Sequence, residues 1–170
     1  MSLKFPLKAP EILLSSNTTD RAYFAGILDG EGTLSIASAR DKRDNTYRQY
    51  LAFQLGTCDL ALLLWLQSRW GGTIYEHKAN KRKNKKHREA FVLQWSPELV
   101  KNIARAVLPY LKLKKPQMDI LVEWVDRTWS GKRGSQSHAA LTPEKKHLRE
   151  VLRARMQQYN RKGPRPVEMN

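Results

Sequence analysis

Two acids interleaved with two glycines, Asp29-Gly30-Glu31-Gly32, close an apolar run that begins at Tyr23-Phe24-Ala25. Carboxylates beside a glycine-rich turn suit a hard divalent cation held by oxygen ligands. They also sit where a helix should end, and the macrodipole disfavours negative charge at a carboxyl terminus, so something positive must offset them. Ala22, Gly26 and Gly30 recur every four positions and therefore line one helix face. A glycine inside a helix costs about 1 kcal/mol relative to alanine, so two at this spacing imply that another backbone approaches closely. A packed helix with a glycine stop and incidental acids would show the same stretch.

The elements around these residues can be read from periodicity and punctuation. Residues 1–17, with two prolines and Ile12-Leu13-Leu14, read as an N-terminal arm. Thr18 or Thr19 is the expected N-cap of the first helix, with Asp20 in its first turn. After Gly32 the period changes to two: Leu34 and Ile36 face inward, and Thr33, Ser35, Ala37 and Ala39 outward. Beyond a charged turn, Leu51, Phe53 and Leu55 alternate with Arg48, Tyr50, Ala52 and Gln54. Thr57 is the expected cap of a helix over Asp59 to Trp70, which stops at Gly71-Gly72.

A second hairpin pairs about Thr73 to Lys78 with Ala90 to Trp95, joined by Lys78 to Arg88, which carries seven Lys/Arg residues. Ile74, Phe91, Leu93 and Trp95 form its inward set; Thr73, Tyr75, His77, Val92 and Gln94 its outward set. Ser96-Pro97-Glu98 starts a helix to about Leu111, and another runs from near Pro116 to before Gly131. The domain core is thus 18–131. Residues 132–141 read as a linker, 142–160 as a basic C-terminal helix opened by Thr142-Pro143-Glu144, and 161–170 as a disordered tail. The order predicts an α+β fold: a curved antiparallel sheet with helices on one face and a polar, basic face left open. Trp65 and Trp95 fall on the apolar side and are expected in the core.

In 170 residues, 31 Lys+Arg stand against 16 Asp+Glu, a formal charge of +15. Such an excess points to a polyanion, since each phosphate neutralised releases a counterion. No apolar run approaches the roughly 18 residues a membrane span needs. Cys58 is the only cysteine, which excludes an intrachain disulfide and a cysteine-based zinc site. His77, His87, His138 and His147 form no ligand pattern. The N-terminus lacks the look of a secretory leader or presequence, so the protein is expected to act where it is made.

Phe24-Ala25-Gly26-Ile27-Leu28-Asp29-Gly30-Glu31-Gly32 resembles the signature of the LAGLIDADG homing endonucleases, with Phe for the first Leu, Gly for the second Ala and Glu for the last Asp. Pro109-Tyr110-Leu111-Lys112-Leu113-Lys114-Lys115-Pro116-Gln117 resembles a second landmark of that family. The resemblance covers roughly residues 20–130. It implies the αββαββα homing-endonuclease core. Because members work with two copies of the motif helix and this chain has one, it implies a homodimer through the 20–30 helix, packed along Ala22, Gly26 and Gly30.

The resemblance assigns catalysis and metal ligation to Glu31, with the Gly30 carbonyl as a neighbouring ligand, and makes Asp29 a structural cap. Mg²⁺ is the implied cofactor, with Mn²⁺ substituting and Ca²⁺ supporting binding without cleavage. Lys114 matches a lysine that points to the active-site water and the scissile phosphate. Thr57 and Cys58 stand where the family often has Gln and then Lys; Thr57 can still orient a water.

The implied substrate is double-stranded DNA, not a small molecule: a near-palindrome of about 20 bp. It would be cut on both strands across the minor groove, leaving short 3′ overhangs, in the compartment holding the host genome. Strand parity selects Ser35, Arg48, Tyr50, Gln54, Tyr75, His77 and Gln94 as groove-facing, with Arg40, Arg43, Lys78, Arg82 and Arg88 on loops near phosphates. In the final helix, Lys145, Lys146, Arg149, Arg153 and Arg155 either track the DNA backbone or belong to an element packed outside the core. The alternatives are a non-cleaving relative acting as an intron RNA maturase or DNA-binding regulator, and, outside the family, a basic RNA-binding structural protein.

Overall fold

Asn17 opens the first helix: its side-chain oxygen accepts from the Asp20 N–H at 2.7 Å, satisfying one of the amides that a helix start leaves unpaired. Thr18 and Thr19, the caps expected from the sequence, instead lie inside α1 (Thr18–Glu31). The computed structural model describes residues 17–40, 45–77, 90–129, 131 and 141–161, and of His77 only the backbone. Most of the expected arm, linker and tail lies outside these residues. After α1 come β1 (Gly32–Arg40), β2 (Tyr47–Thr57), α2 (Leu60–Trp70), β3 (Thr73–His77), β4 (Ala90–Gln94), α3 (Pro97–Val107), α4 (Lys115–Thr128) and α5 (Pro143–Tyr159). This is the α+β order read from the sequence.

The strands form one antiparallel sheet in the order β1-β2-β4-β3. α1 passes into β1 without a loop, and Gly32 makes that possible. Its N–H donates to the Leu28 carbonyl, and a Cβ on it would sit 2.6 Å from that oxygen, closer than any side chain allows. β1 and β2 pair from Gly32↔Leu55 to Arg40↔Tyr47, so the alternation of one strand meets that of the other on both faces. Leu34, Ile36, Leu51, Phe53, Leu55, Ile74, Leu93 and Trp95 are buried on the helical side. Phe24 of α1 lies 5.0 Å from Trp70 and 5.4 Å from Trp95, whose ring is 4.7 Å from Phe53. Each such pair contributes about 0.5–1.5 kcal/mol beyond area burial. Trp65 is only half buried, edge-on to the exposed Tyr23.

Two further boundaries differ from the sequence reading, each for a local reason. Asp59, not Thr57, caps α2: its Oδ1 accepts from the Leu62 N–H at 3.0 Å, while Thr57 ends β2. α3 stops at Val107 rather than Leu111, because Pro109 has no N–H to continue the ladder. The following turn closes with Tyr110 and Leu111 N–H groups on the Val107 carbonyl.

The C-terminal helix is part of the core. Leu152 and Met156 are fully buried in the same apolar cluster as the sheet, and α5 lies against α4 and β1. Arg149 is 2% exposed. Its guanidinium stacks 4.2 Å from the Trp124 ring and donates to the Thr128 hydroxyl and carbonyl at 3.1 and 3.2 Å. Burial pulls its pKa down to about 10, so it is still charged at neutral pH. Asn160, just past the helix, donates to the Leu34 carbonyl at 2.9 Å and so covers part of the open edge of β1. Arg155 and Arg127 each bond one oxygen of Glu123 at 2.8 Å. Burial would raise the Glu123 carboxyl, but these hydrogen bonds outweigh it and leave it below its usual range. Arg149 and Arg155 are therefore engaged within the protein rather than set out for DNA. No helix among the described residues is long and apolar enough to cross a membrane.

Arg149→Ala removes a stacked cation and two hydrogen bonds and leaves a cavity beside Trp124. The expected cost is about 2–4 kcal/mol, read as a lower urea midpoint with unchanged slope. A loss below about 0.5 kcal/mol would show that this side chain does not hold α5 in place.

Candidate active site and nucleic-acid face

The carboxyl end of α1 leaves carbonyls without helical partners and places Asp29 and Glu31 where the dipole opposes them. The turn after α3 answers both demands. Asp29 accepts backbone N–H groups from Lys112 at 2.7 Å, Leu113 at 3.2 Å and Lys114 at 2.8 Å. Lys114 reaches back, its Nζ donating to the carbonyls of Leu28 at 2.9 Å, Gly32 at 2.8 Å and, through a long bond, Gly30 at 3.4 Å. The positive group that the sequence demanded is thus Lys114. Lys112 and Lys115, its exposed neighbours, make none of these side-chain contacts.

Glu31, the last residue of α1, is exposed, and its carboxylate has no hydrogen bond or ion pair among the described residues. Thr57 lies two residues beyond Leu55, the register partner of Gly32. Its Oγ1 accepts from the Asp59 N–H at 3.1 Å, and no hydrogen bond joins it to Glu31. Ala22, Gly26 and Gly30 are all exposed, and a Cβ added at either glycine would meet nothing within 4 Å. Among the described residues of one chain, neither glycine is needed to admit a neighbour.

The sheet face away from the helices carries the other candidates. Ser35, Gln54 and Gln94 are half buried, while Tyr50 and Tyr75 are 46% and 37% exposed. The registers join four of these outward residues into one row across all four strands: Thr33 opposite Gln54, Gln54 opposite Gln94, Gln94 opposite Thr73. Thr33 and Thr73 were read as outward-facing but not as binding candidates; what marks them is strand pairing, which alternation in a single strand does not reveal. Ala37 faces Tyr50, Ser35 faces Ala52, and Ala39 faces the half-buried Arg48. Arg40 belongs to β1 rather than to a loop, exposed at its end. Arg43, Lys78, Arg82 and Arg88 lie outside the described residues, as does the side chain of His77.

This is the fold of the LAGLIDADG homing endonucleases. The homing endonuclease I-CvuI, solved with its target in the presence of Ca, aligns at a TM-score of 0.63 and 17% identity over 88% of this chain and 87% of its own. It has also been solved in the presence of Mg with the I-CreI target, the DNA not cleaved. I-Vdi141I, an archaeal intron-encoded homing endonuclease in complex with DNA, aligns at 0.62 and 16% over 88% of this chain and 89% of its own. The meganuclease I-CpaMI, bound to uncleaved DNA, aligns at 0.56 and 17% over 88% of this chain but only 52% of its own. This chain therefore spans about half of that longer protein. No known family profile and no curated protein matches the sequence.

Asp29→Asn replaces two acceptor oxygens with one and removes the charge that holds three amides. A stability loss of about 1–3 kcal/mol is expected in urea unfolding. An unchanged midpoint would show that the 112–114 turn is held by packing alone.

Proposed function

We propose that this chain is one subunit of a homodimeric, divalent-metal-dependent endonuclease of the LAGLIDADG homing type, cutting both strands of a long near-palindromic DNA target and leaving short 3′ overhangs. The observation that carries the reading is the end of α1. Asp29 and Lys114 are turned onto the protein's own backbone, whereas Glu31 is exposed and its carboxylate has no partner among the described residues. One acid is structural and the other is available.

The Glu31 carboxylate and the Gly30 carbonyl are oxygen donors of the kind Mg²⁺ takes. Among the described residues of one chain no three His, Cys, Asp or Glu side chains come together, so one subunit offers part of a coordination shell. The Glu31 of a second subunit and DNA phosphate oxygens would complete it. Two carboxylates that close repel unless a cation lies between them. When bound, the cation supplies charge stabilisation for displacement at phosphorus. Mn²⁺ should replace Mg²⁺, and Ca²⁺ should support binding without cleavage.

The exposed α1 face of Ala22, Gly26 and Gly30 is the surface on which a twin helix would pack, in an isologous contact about a two-fold axis. Around that axis the two open sheet faces would follow the major groove of two half-sites. The row from Thr33 to Thr73 holds hydroxyls and amides and no formal charge, which suits it to base edges rather than phosphates. The compartment is then the one holding the host genome. A second reading, a non-cleaving relative serving as a maturase or regulator, is favoured by Thr57, whose hydroxyl is taken up in the turn to α2 where the family often has a glutamine.

The first test selects bound and cut molecules from a randomised duplex library. The wild-type protein in Mg²⁺ should cut a near-palindromic site. Glu31→Gln should bind that site in Ca²⁺ but cut it at least about 100-fold more slowly, a loss of ~2.7 kcal/mol in transition-state stabilisation. Binding without cutting by the wild type would select the maturase or regulator reading, and no selected duplex would exclude both. Gly26→Leu tests the dimer. In an isolated chain it should be neutral or stabilising by up to about 0.8 kcal/mol through helix propensity, yet sedimentation should show monomers where the wild type is dimeric. A Gly26→Leu protein that remains dimeric would rule out this face.

A further inference from the structure

We propose that Lys114 is a positioning residue: its ammonium fixes the direction in which Glu31 leaves α1, and it does this instead of touching the scissile phosphate. The proposal rests on the nuclease reading above. An ammonium has three donors and no acceptor, and the Lys114 Nζ meets three carbonyls, those of Leu28, Gly30 and Gly32. These bracket Glu31 on both sides along the chain.

The lysine is itself anchored, since its backbone N–H is held by Asp29 at 2.8 Å. Asp29 thus grips the backbone of the 112–114 turn while Lys114 grips the backbone of 28–32, and the two segments lock each other. A ligand side chain needs such support, because a shell left loose by an ångström loses much of its affinity. The bond to Gly30 is the longest of the three, so the Gly30 carbonyl is the one most readily yielded to a cation beside Glu31.

A lysine placed here as a charge for the phosphate would behave oppositely in a binding experiment. Removing a positive charge near a cation site, with nothing else altered, tightens cation binding. Removing a support weakens it. Arginine separates the cases further, since its planar fork cannot reproduce a three-carbonyl cradle but does preserve the charge.

The experiment measures Ca²⁺ binding by calorimetry in complexes of the wild type, Lys114→Met and Lys114→Arg with the duplex selected above, together with amide exchange at Gly32. Both variants should bind Ca²⁺ about tenfold more weakly, need about tenfold more Mg²⁺ for half-maximal cleavage, and exchange the Gly32 amide faster. Their DNA affinity in chelator should stay within about twofold of the wild type, which also shows that they fold. Unchanged or tighter Ca²⁺ binding with cleavage lost at saturating Mg²⁺ would overturn the proposal, as would full activity in Lys114→Arg. A wild-type complex that takes up no Ca²⁺ would overturn the nuclease reading along with it.

Discussion

A helix that ends in acid must be stabilised by something outside itself, and in this protein that something comes from more than eighty residues away. Asp29 and the 112–114 turn are separated by 83 to 85 residues in sequence, yet the two segments are bonded in both directions: carboxylate to amides in one, ammonium to carbonyls in the other. The junction joins the carboxyl end of α1 to the start of α4. Because α1 runs into β1 with no intervening loop, the position of that helix end also sets the first paired residue of the sheet, Gly32 opposite Leu55. The helix end that carries Glu31, the first pair of the sheet and the start of α4 thus meet in one set of bonds.

The same economy governs the distribution of positive charge. A net charge of +15 appears in the sequence as a uniformly basic chain, but the fold sorts it. Arg149 is enclosed over Trp124, Arg155 and Arg127 share Glu123, and Lys114 closes a helix. α5 therefore works as a brace under β1 and α4, tied at its far end to the Leu34 carbonyl through Asn160. On the opposite side of the sheet, the row from Thr33 to Thr73 is uncharged, and Arg40 stands at the end of a strand. Neutral hydrogen-bonding groups in the middle and cations toward the end match what a duplex presents, with base edges within the groove and phosphates on its walls.

Strand parity was legible in the sequence because a period of two assigns a face to each residue without knowledge of the partner strand: Leu34, Ile36, Leu51, Phe53 and Leu55 are all buried. The acids of the motif were likewise placed at a helix end, because the apolar run closes in Asp29-Gly30-Glu31-Gly32, and the macrodipole then called for a positive group beside them. What failed was local competition among similar groups. Asn17 outdoes Thr18 and Thr19 as a cap, and Asp59 outdoes Thr57, because the position whose oxygen reaches the amide three residues on decides the matter. Pro109 cut α3 short by withholding an N–H. The buried stripe of α5 was hidden because one of its members, Arg149, is charged, and only Trp124 and Thr128 in another helix make its burial tolerable. The link from Lys114 to three carbonyls of α1 and the four-strand row are long-range facts of pairing, which no local pattern encodes.

The glycines carry the argument for a partner, and they do so by contrast. Gly32 is required within the chain, since a Cβ would strike the Leu28 carbonyl. Gly72 is required too, with φ at +101° and a Cβ only 2.8 Å from Leu93. Gly26 and Gly30 meet no such need: both have negative φ inside a helix and both face open space. Together they cost α1 roughly 2 kcal/mol against alanine, a large fraction of the stability of a domain this size. Nothing among the described residues of a single chain offsets that loss. A second α1 brought close enough for backbones to touch would, and such an approach would also bring two Glu31 carboxylates toward each other.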